Sequence, residues 1–408
     1  MSTTQVSETG TIKQAAKDYW AKVKTGDIGP LAAILGLVVL CIVFGSMSPV
    51  FLTQGNFANL LTQAAAVIVI AMGLIFVLLI GEIDLSAGYA SGVCSAVLVI
   101  LVTKKDQPWY VALTAAIVVG CVLGYLIGVL VARLGIPSFV VTLASFLAFQ
   151  GILLLLAGEG GTIRIEDKTV LAIENSNLSV AASWIFYIVV SAIYFLTGLS
   201  RINSRRKAGL KNELKKLWLI KTLALIGASG LAVLTLNLER SNNPELVSLK
   251  GIPYVVPLIL AILVVGTFIL DRTAFGRHIY AVGGNAEAAR RAGINVKRIR
   301  IACFMICSGL SAIAGLIFAS RQNSVSPTTG GSSTLLYAVG AAVIGGTSLF
   351  GGKGKMRDAI LGGLVVAVID NGMGLLGYAA GIKFIVTGLV LLTSASVDAI
   401  SRRGVTNS

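Results

Sequence analysis

Glu82, Asp84 and Ser86 interrupt a stretch that is otherwise apolar from Leu60 to Val102. A carboxylate at bilayer depth is expensive, and one that is kept there usually belongs to a pathway or a relay. Irregular backbone at that depth is tolerated only against protein or a water-filled cavity. Two readings stand on the pattern alone: a re-entrant or broken-helix element lining a polar path, or a tight, solvated hairpin between two spans. Asp370 and Asn371, deep in a later apolar run, form a second polar point. They would either line the same path or close a hydrogen bond between neighbouring helices, and the second reading is favoured.

A third candidate is the basic loop 272–300, which holds a punctuated helical stretch. Gly283-Gly284 breaks the chain, Asn285 is a capping residue, Ala286 to Ala292 are good helix formers, and Gly293 suits the left-handed residue that ends a helix. A short helix projecting from such a loop is either a docking element or a surface helix held at lipid headgroups by Arg290 and Arg291, and charge alone favours the headgroups.

Other chemistry is poorly supplied. His278 is the sole histidine, so no Ser/His/Asp set exists. Cys41, Cys94, Cys121, Cys303 and Cys307 sit in apolar segments without Cys-x-x-Cys spacing, which argues against a zinc site or a disulfide framework. A phosphate-cradling Gly-x-x-x-x-Gly-Lys-Ser/Thr loop is approached only by Thr347 to Gly354, with Thr347 where the first glycine belongs and Gly354 where the magnesium-binding hydroxyl belongs. A machine driven by ATP would have to borrow its ATP site.

The elements that position these residues are membrane spans. Of 408 residues 56% are hydrophobic and 12% charged, against roughly 45–50% and 25% in soluble domains, which excludes a soluble globular enzyme. Mean hydropathy is +0.88. With about 20 apolar residues per crossing, the pattern predicts an all-α polytopic bundle of about 10–12 spans, at 31–48, 60–80, 87–103, 110–132, 137–157, 183–199, 219–238, 254–271, 301–320, 334–350, 358–377 and 382–400. The net charge of +15 lies mostly in short loops, which points to the positive-inside rule and not to nucleic acid.

Loop 200–216 sets Arg201, Arg205, Arg206, Lys207, Lys211, Lys215 and Lys216 against Glu213 alone. Loop 272–300 sets Arg272, Arg277, Arg290, Arg291, Lys297, Arg298 and Arg300 against Glu287. Both are expected in the cytoplasm, with the mixed loops 158–182 and 239–253 outside and both termini, including the 401–408 tail, inside. Residues 1–30 read as an in-plane helix, with Ile12, Ala16, Tyr19, Trp20 and Val23 on one face among lysines, on an anionic lipid surface. Two glycine breaks look alike, Gly81-Glu-Ile-Asp-Leu-Ser-Ala-Gly88 and Gly345-Gly-Thr-Ser-Leu-Phe-Gly-Gly352, sharing three of eight positions, a trace of duplication or the coincidence that 46 glycines permit.

Glu287-Ala288-Ala289-x-x-x-Gly293 resembles the Glu-Ala-Ala-x-x-x-Gly core of the cytoplasmic loop of bacterial ATP-binding-cassette (ABC) importer permeases, without the Leu-Pro that usually follows. Together with Gly81 to Gly88, Gly276-Arg-His-Ile-Tyr-Ala-Val-Gly-Gly-Asn-Ala-Glu-Ala-Ala-Arg290 and Val343-Ile-Gly-Gly-Thr-Ser-Leu-Phe-Gly-Gly-Lys-Gly354, it is similar to the ribose, galactose and xylose branch of sugar permeases over residues 30–400. Shorter relatives have about ten spans. The stretch 160–250 looks like an inserted hairpin, as in the xylose members.

The resemblance implies an inner-membrane permease domain over 31–400 that binds no cofactor and pairs with a second permease copy. ATP and magnesium would sit on partner ATPase subunits, and a soluble sugar-binding protein would deliver a monosaccharide. Glu287, Ala288, Ala289 and Gly293 would form the coupling helix that enters a cleft of the ATPase, flanked by Arg277, Arg290 and Arg291. Glu82, Asp84 and Ser86 would lie near the translocation path. The competing reading is an ion-coupled secondary transporter with Asp84 and Asp370 as coupling carboxylates. A membrane-embedded transferase would call for a histidine or a catalytic acidic pair in a large outer loop, whereas the sole histidine, His278, lies on the basic loop and the outer loop 158–182 is short with mixed charges.

Overall fold

A computed structural model of the chain describes residues 31–158, 161–208, 215–241 and 243–406. The surface helix expected over 1–30, Glu159 of the mixed loop and residues 209–214 of the basic loop lie outside the described residues. The first half of the chain forms α1 (Leu31–Met47), α2 (Gln54–Leu79), α3 (Ala87–Lys104), α4 (Trp109–Ala132), α5 (Ser138–Ala157), β1 (Ile163–Arg164), α6 (Lys168–Asn175) and α7 (Val180–Lys207). The second half forms α8 (Lys215–Asn237), α9 (Val255–Arg272), α10 (Ala274–Gly284), α11 (Ala286–Arg291), α12 (Val296–Gln322), β2 (Ser324–Val325), α13 (Ser332–Gly345), α14 (Met356–Leu375) and α15 (Ala380–Thr406).

Among the described residues nine helices are long and apolar enough to cross a bilayer, and α1, α13 and the apolar part of α15 are shorter apolar helices. Each of the twelve expected spans falls on one of these. The ends differ where local chemistry overrides apolar length. α2 starts six residues early because Thr53 caps it, its side chain accepting from Asn56 N. α13 stops at Gly345, five residues short of the expected 350, where Gly346 takes φ +116°. α7 runs helically to Lys207, through the first half of the expected basic loop, and α15 continues into the expected tail. α10 also passes through Gly283-Gly284, so the chain turns at Asn285 and not at the glycine pair.

Contacts divide the chain into two compact units. Among the described residues the larger comprises 31–176 and Pro253–Ala399. Its central helix is α2, on which every residue from Ala64 to Leu79 except Val67 is buried. α12, α13 and α14 pack around it, and α12 also carries α3 and α4. Small residues permit this close approach. Gly120, Gly124 and Gly128 of α4 lie at four-residue spacing against the backbone of Ser308, Phe304 and Ile301 on α12. β1 and β2 pair antiparallel, Ile163 opposite Val325, and thereby join the ends of α5 and α12.

Among the described residues the smaller unit comprises 177–252 and the end of α15 from Ile400. It thus begins at Asn177 and not near 160, because β1 and α6 pack with the larger unit. Within it α7 and α8 form a hairpin fastened by aromatic rings. Tyr187 Oη donates to Ile226 O at 2.8 Å, Trp184 meets Tyr187 edge-on at 5.9 Å, and the Trp218 ring lies against Gly198. The outer faces of both helices are apolar and exposed, as lipid contact requires.

Candidate functional site

The loop between α9 and α12 holds two capped helices, α10 and α11, and ends on the capped start of α12. Thr273 caps α10 by accepting from Gly276 N, Asn285 caps α11 by accepting from Ala288 N at 2.9 Å, and Asn295 caps α12 by accepting from Arg298 N at 3.0 Å. α11 ends where Gly293 adopts φ +83°, its N–H donating to Arg290 O and that of Ile294 to Ala289 O, each at 3.0 Å. Ala289 faces inward at 5% exposure, whereas Glu287, Ala288, Arg290 and Arg291 face outward, as does Arg277 on α10. Glu287 Oε1 accepts from Arg290 Nη2 at 2.9 Å and from Arg291 Nε at 3.2 Å, and these two donors hold its carboxyl below the usual carboxylate range. The outward side of α11 therefore offers one carboxylate fixed between two guanidinium groups.

α10 is fastened to the bundle. Ile279 and Val282 are buried, and Tyr280 Oη donates to Gly354 O at 2.8 Å, with burial pushing the phenol up to about 12. Here the two look-alike glycine breaks touch each other. Gly81, Gly351 and Gly352 have φ of +74°, +83° and +72°, and Gly352 N donates to Leu79 O at 2.9 Å. A Cβ on Gly351 would stand 3.0 Å from Gly81 N and 2.9 Å from Gly283 O, and one on Gly283 would collide with Leu79 O. Three chain segments thus meet backbone to backbone, and only glycine fits. In the second break Gly345 abuts the Asp358 backbone. The sequence marked Gly283 as a chain break; in the structure it is helical, and its role is this packing contact.

From this junction residues 82–86 climb along α12. Glu82 Oε1 meets Arg300 Nε at 3.1 Å, and Asp84 faces the Cys307 thiol, seven residues or about 10 Å farther along α12. Asp84 Oδ1 accepts from Ser86 N at 2.8 Å and Ser86 Oγ at 2.6 Å, and both side chains are fully buried. α3 then starts inside the bundle, where a Cβ on Gly88 would stand 2.6 Å from Gly330 O. A solvated hairpin does not describe this segment, since its return limb is sealed within protein.

Asp370 and Asn371 lie toward the far end of α14, Asp370 about 8 Å from the last residue, Leu375. Asn371 and Asn56 exchange amide hydrogen bonds, each 2.9 Å, Gln63 Nε2 donates to Asp370 Oδ2 at 2.6 Å, and Lys383 Nζ stands 3.5 Å from Asp370 Oδ1. This network ties α2, α14 and α15 together, as the helix–helix reading expects. The expected start of α2 at residue 60 left out Asn56, which is why the amide pair was not foreseen. Close by on α2, Asn59 and Thr62 accept from Arg321. Arg321 also acts on Glu174 of α6, whose carboxylate oxygens are buried without a hydrogen-bond partner among the described residues.

Residues 56–395 match the family described as branched-chain amino acid transport system, permease component. The chain is 36% identical over 355 residues to the xylose transport system permease protein XylH of Escherichia coli (strain K12), covering 86% of this chain and 87% of the relative. It is 33% identical over 384 residues to the protein of the same name from Haemophilus influenzae, covering 94% and 99%. Identity to the ribose import permease protein RbsC of Escherichia coli (strain K12) is 28% over 366 residues, covering 90% and 92%. No solved structure matches the chain.

Proposed function

The chain belongs to the family of branched-chain amino acid transport system permease components, and from that premise we propose that it is the membrane-spanning subunit of an ATP-driven ABC importer that carries a monosaccharide, xylose or a related pentose or hexose, across the bacterial inner membrane. The observation that carries the sugar assignment is the near full-length identity to xylose permeases, followed by a ribose permease. The subunit is not itself an enzyme. ATP and magnesium act on partner ATPase subunits, a soluble binding protein delivers the sugar outside, and a second copy of this chain completes the pathway. The basic loops, and with them both termini, lie in the cytoplasm, where anionic lipid meets the lysines of residues 1–30.

Residues 287–293 are the coupling helix. Closure of the ATPase pair on ATP would draw two such helices together and open the pathway outward. Asp84 and Ser86, sealed from solvent, shape the start of α3 beside the path and do not meet sugar themselves. Asp370 and Asn371 fasten helices. An uncharged sugar needs no strongly charged site, since aromatic faces with a few amides or hydroxyls hold it. Neither candidate coupling carboxylate is placed as an accessible ion site among the described residues: Asp84 is enclosed and Asp370 is paired with Lys383.

The test is sugar-dependent ATP hydrolysis in proteoliposomes holding this chain, its ATPase and its binding protein. Glu287→Lys places a third cation beside Arg290 and Arg291, and like charges in an interface cost enough to lower stimulated hydrolysis about tenfold or more. Unchanged hydrolysis in a variant recovered at normal levels would defeat the coupling assignment. Sugar uptake by this chain alone under an ion gradient would replace the importer with a secondary transporter.

A further inference from the structure

The coupling loop and the re-entrant segment are joined at two places. One is the glycine junction, where Gly283 of α10 lies against Leu79 O and Gly351 against Gly81. The other is the ion pair between Glu82, which opens the segment 82–86, and Arg300, which lies on α12 seven residues beyond Gly293. The Glu82 side chain is 13% exposed and that of Arg300 30%, so solvent screens the pair less than it screens the pairs of Glu287, whose side chain is 51% exposed. Immediately beyond Glu82 the Asp84 carboxylate holds Ser86 and fixes the first residues of α3. A displacement of residues 274–300 therefore reaches the start of α3 by two routes: an indirect one through the glycine junction, held by the Tyr280–Gly354 and Gly352–Leu79 hydrogen bonds, and an electrostatic one through Arg300, which acts on Glu82 directly.

We propose that the Glu82–Arg300 ion pair is the positioning contact that draws segment 82–86, and with it α3, after the coupling loop, so that breaking it lets ATP be spent without sugar being moved. The proposal rests on the reading of 287–293 as the ATPase dock. It differs from a merely structural pairing of two charges at a bundle end in one readout, the sugar carried per ATP hydrolysed.

The experiment uses the complete complex in proteoliposomes, with ATP hydrolysis and sugar uptake measured in the same vesicles for Glu82→Gln, Arg300→Gln and the charge-exchanged double variant Glu82→Arg/Arg300→Glu. Each single variant is expected to bind the ATPase subunit and hydrolyse ATP near the wild-type rate while uptake per ATP falls about fivefold or more, the size of an ordinary coupling free energy. The double variant is expected to recover at least half of the lost ratio. A wild-type ratio in either recovered single variant, or a double variant no better than the singles, overturns the proposal. Having two partners keeps the test open if one single variant does not fold. Glu287→Lys is run beside them: if it leaves hydrolysis coupled, the docking assignment fails, whereas if it abolishes stimulation while the variants at 82 and 300 keep the wild-type ratio, only the ion pair fails.

Discussion

Three glutamates outside the spans show how one side chain takes its properties from what surrounds it. Glu239 accepts hydrogen bonds from Leu249 N, Ser248 Oγ and the Ser241 and Arg240 N–H groups, which bring its carboxyl down to about 2. Glu287 is lowered by its two arginines. Glu174 goes the other way: burial pushes it up to about 8, against the opposing pull of Arg321. Its native carboxyl keeps a proton that an unfolded chain, near its ordinary 4.5, gives up, so stability falls as pH rises from about 4.5 to 8 and levels above that. Glu174→Gln should remove this slope. Thermal melts of the purified protein across pH 5 to 9 should show curves that meet near pH 5, with the variant higher by a few degrees at pH 8 and above; parallel curves would show that the carboxyl titrates normally. None of this was legible in the sequence, where Glu174 is one of several charges in a mixed loop. The same limit left Asp84 between two readings, because burial is decided by α12, more than two hundred residues away.

At the scale of elements, apolar run length is read directly by the bilayer, which is why each of the twelve apolar runs could be placed on a helix before any packing was known, nine of those helices being long enough to cross among the described residues. Helix ends obey local chemistry instead, and there Thr53, Gly346 and Asn285 moved the boundaries. Partner choice was less visible still. Gly120, Gly124 and Gly128 stand in plain sight at four-residue spacing, yet with 46 glycines the spacing alone selects no partner. The structure supplies it: a Cβ on Gly124 would strike the carbonyl of Phe304 and come 2.8 Å from Met305 Cα, so α4 and α12 touch through backbone. Gly124→Leu should force them apart, costing about 3 kcal/mol or more, beyond ordinary overpacking because backbone cannot rotate aside. Gly36 on α1 has nothing within 4 Å of the same position, and Gly36→Leu is the control. In size-exclusion profiles of detergent extracts the first variant should lose its monodisperse peak and the second should keep it. Equal profiles would mean that the α4–α12 contact tolerates a side chain.

At the scale of the molecule, the resemblance to shorter sugar permeases suggested an inserted hairpin, and the hydrogen bonds show where the chain leaves the larger unit and returns to it. Tyr254 N donates to Ser176 O at 3.1 Å within the larger unit, and Leu178 N donates to Ile252 O at 2.8 Å within the smaller one. Ser176 and Pro253 are therefore near neighbours, and two glycines suffice to join them once 177–252 is removed. The excision takes away two crossings, α7 and α8, so every later helix keeps its orientation, and the caps and glycine junctions of the larger unit all lie outside the deleted stretch. If the hairpin only adds lipid-facing surface, the shortened chain should insert, hold its ATPase and carry sugar per ATP within about twofold of the full chain, the scatter expected when separately packed parts do not couple. If it inserts and holds the ATPase but hydrolysis is no longer stimulated by loaded binding protein, the hairpin and its arginines at 201, 205 and 206 belong to the transport cycle. Repeating the assay in vesicles without anionic lipid then separates the two remaining roles: a full-length chain that loses activity there uses the basic loop on the membrane surface, and one that does not uses it on the ATPase.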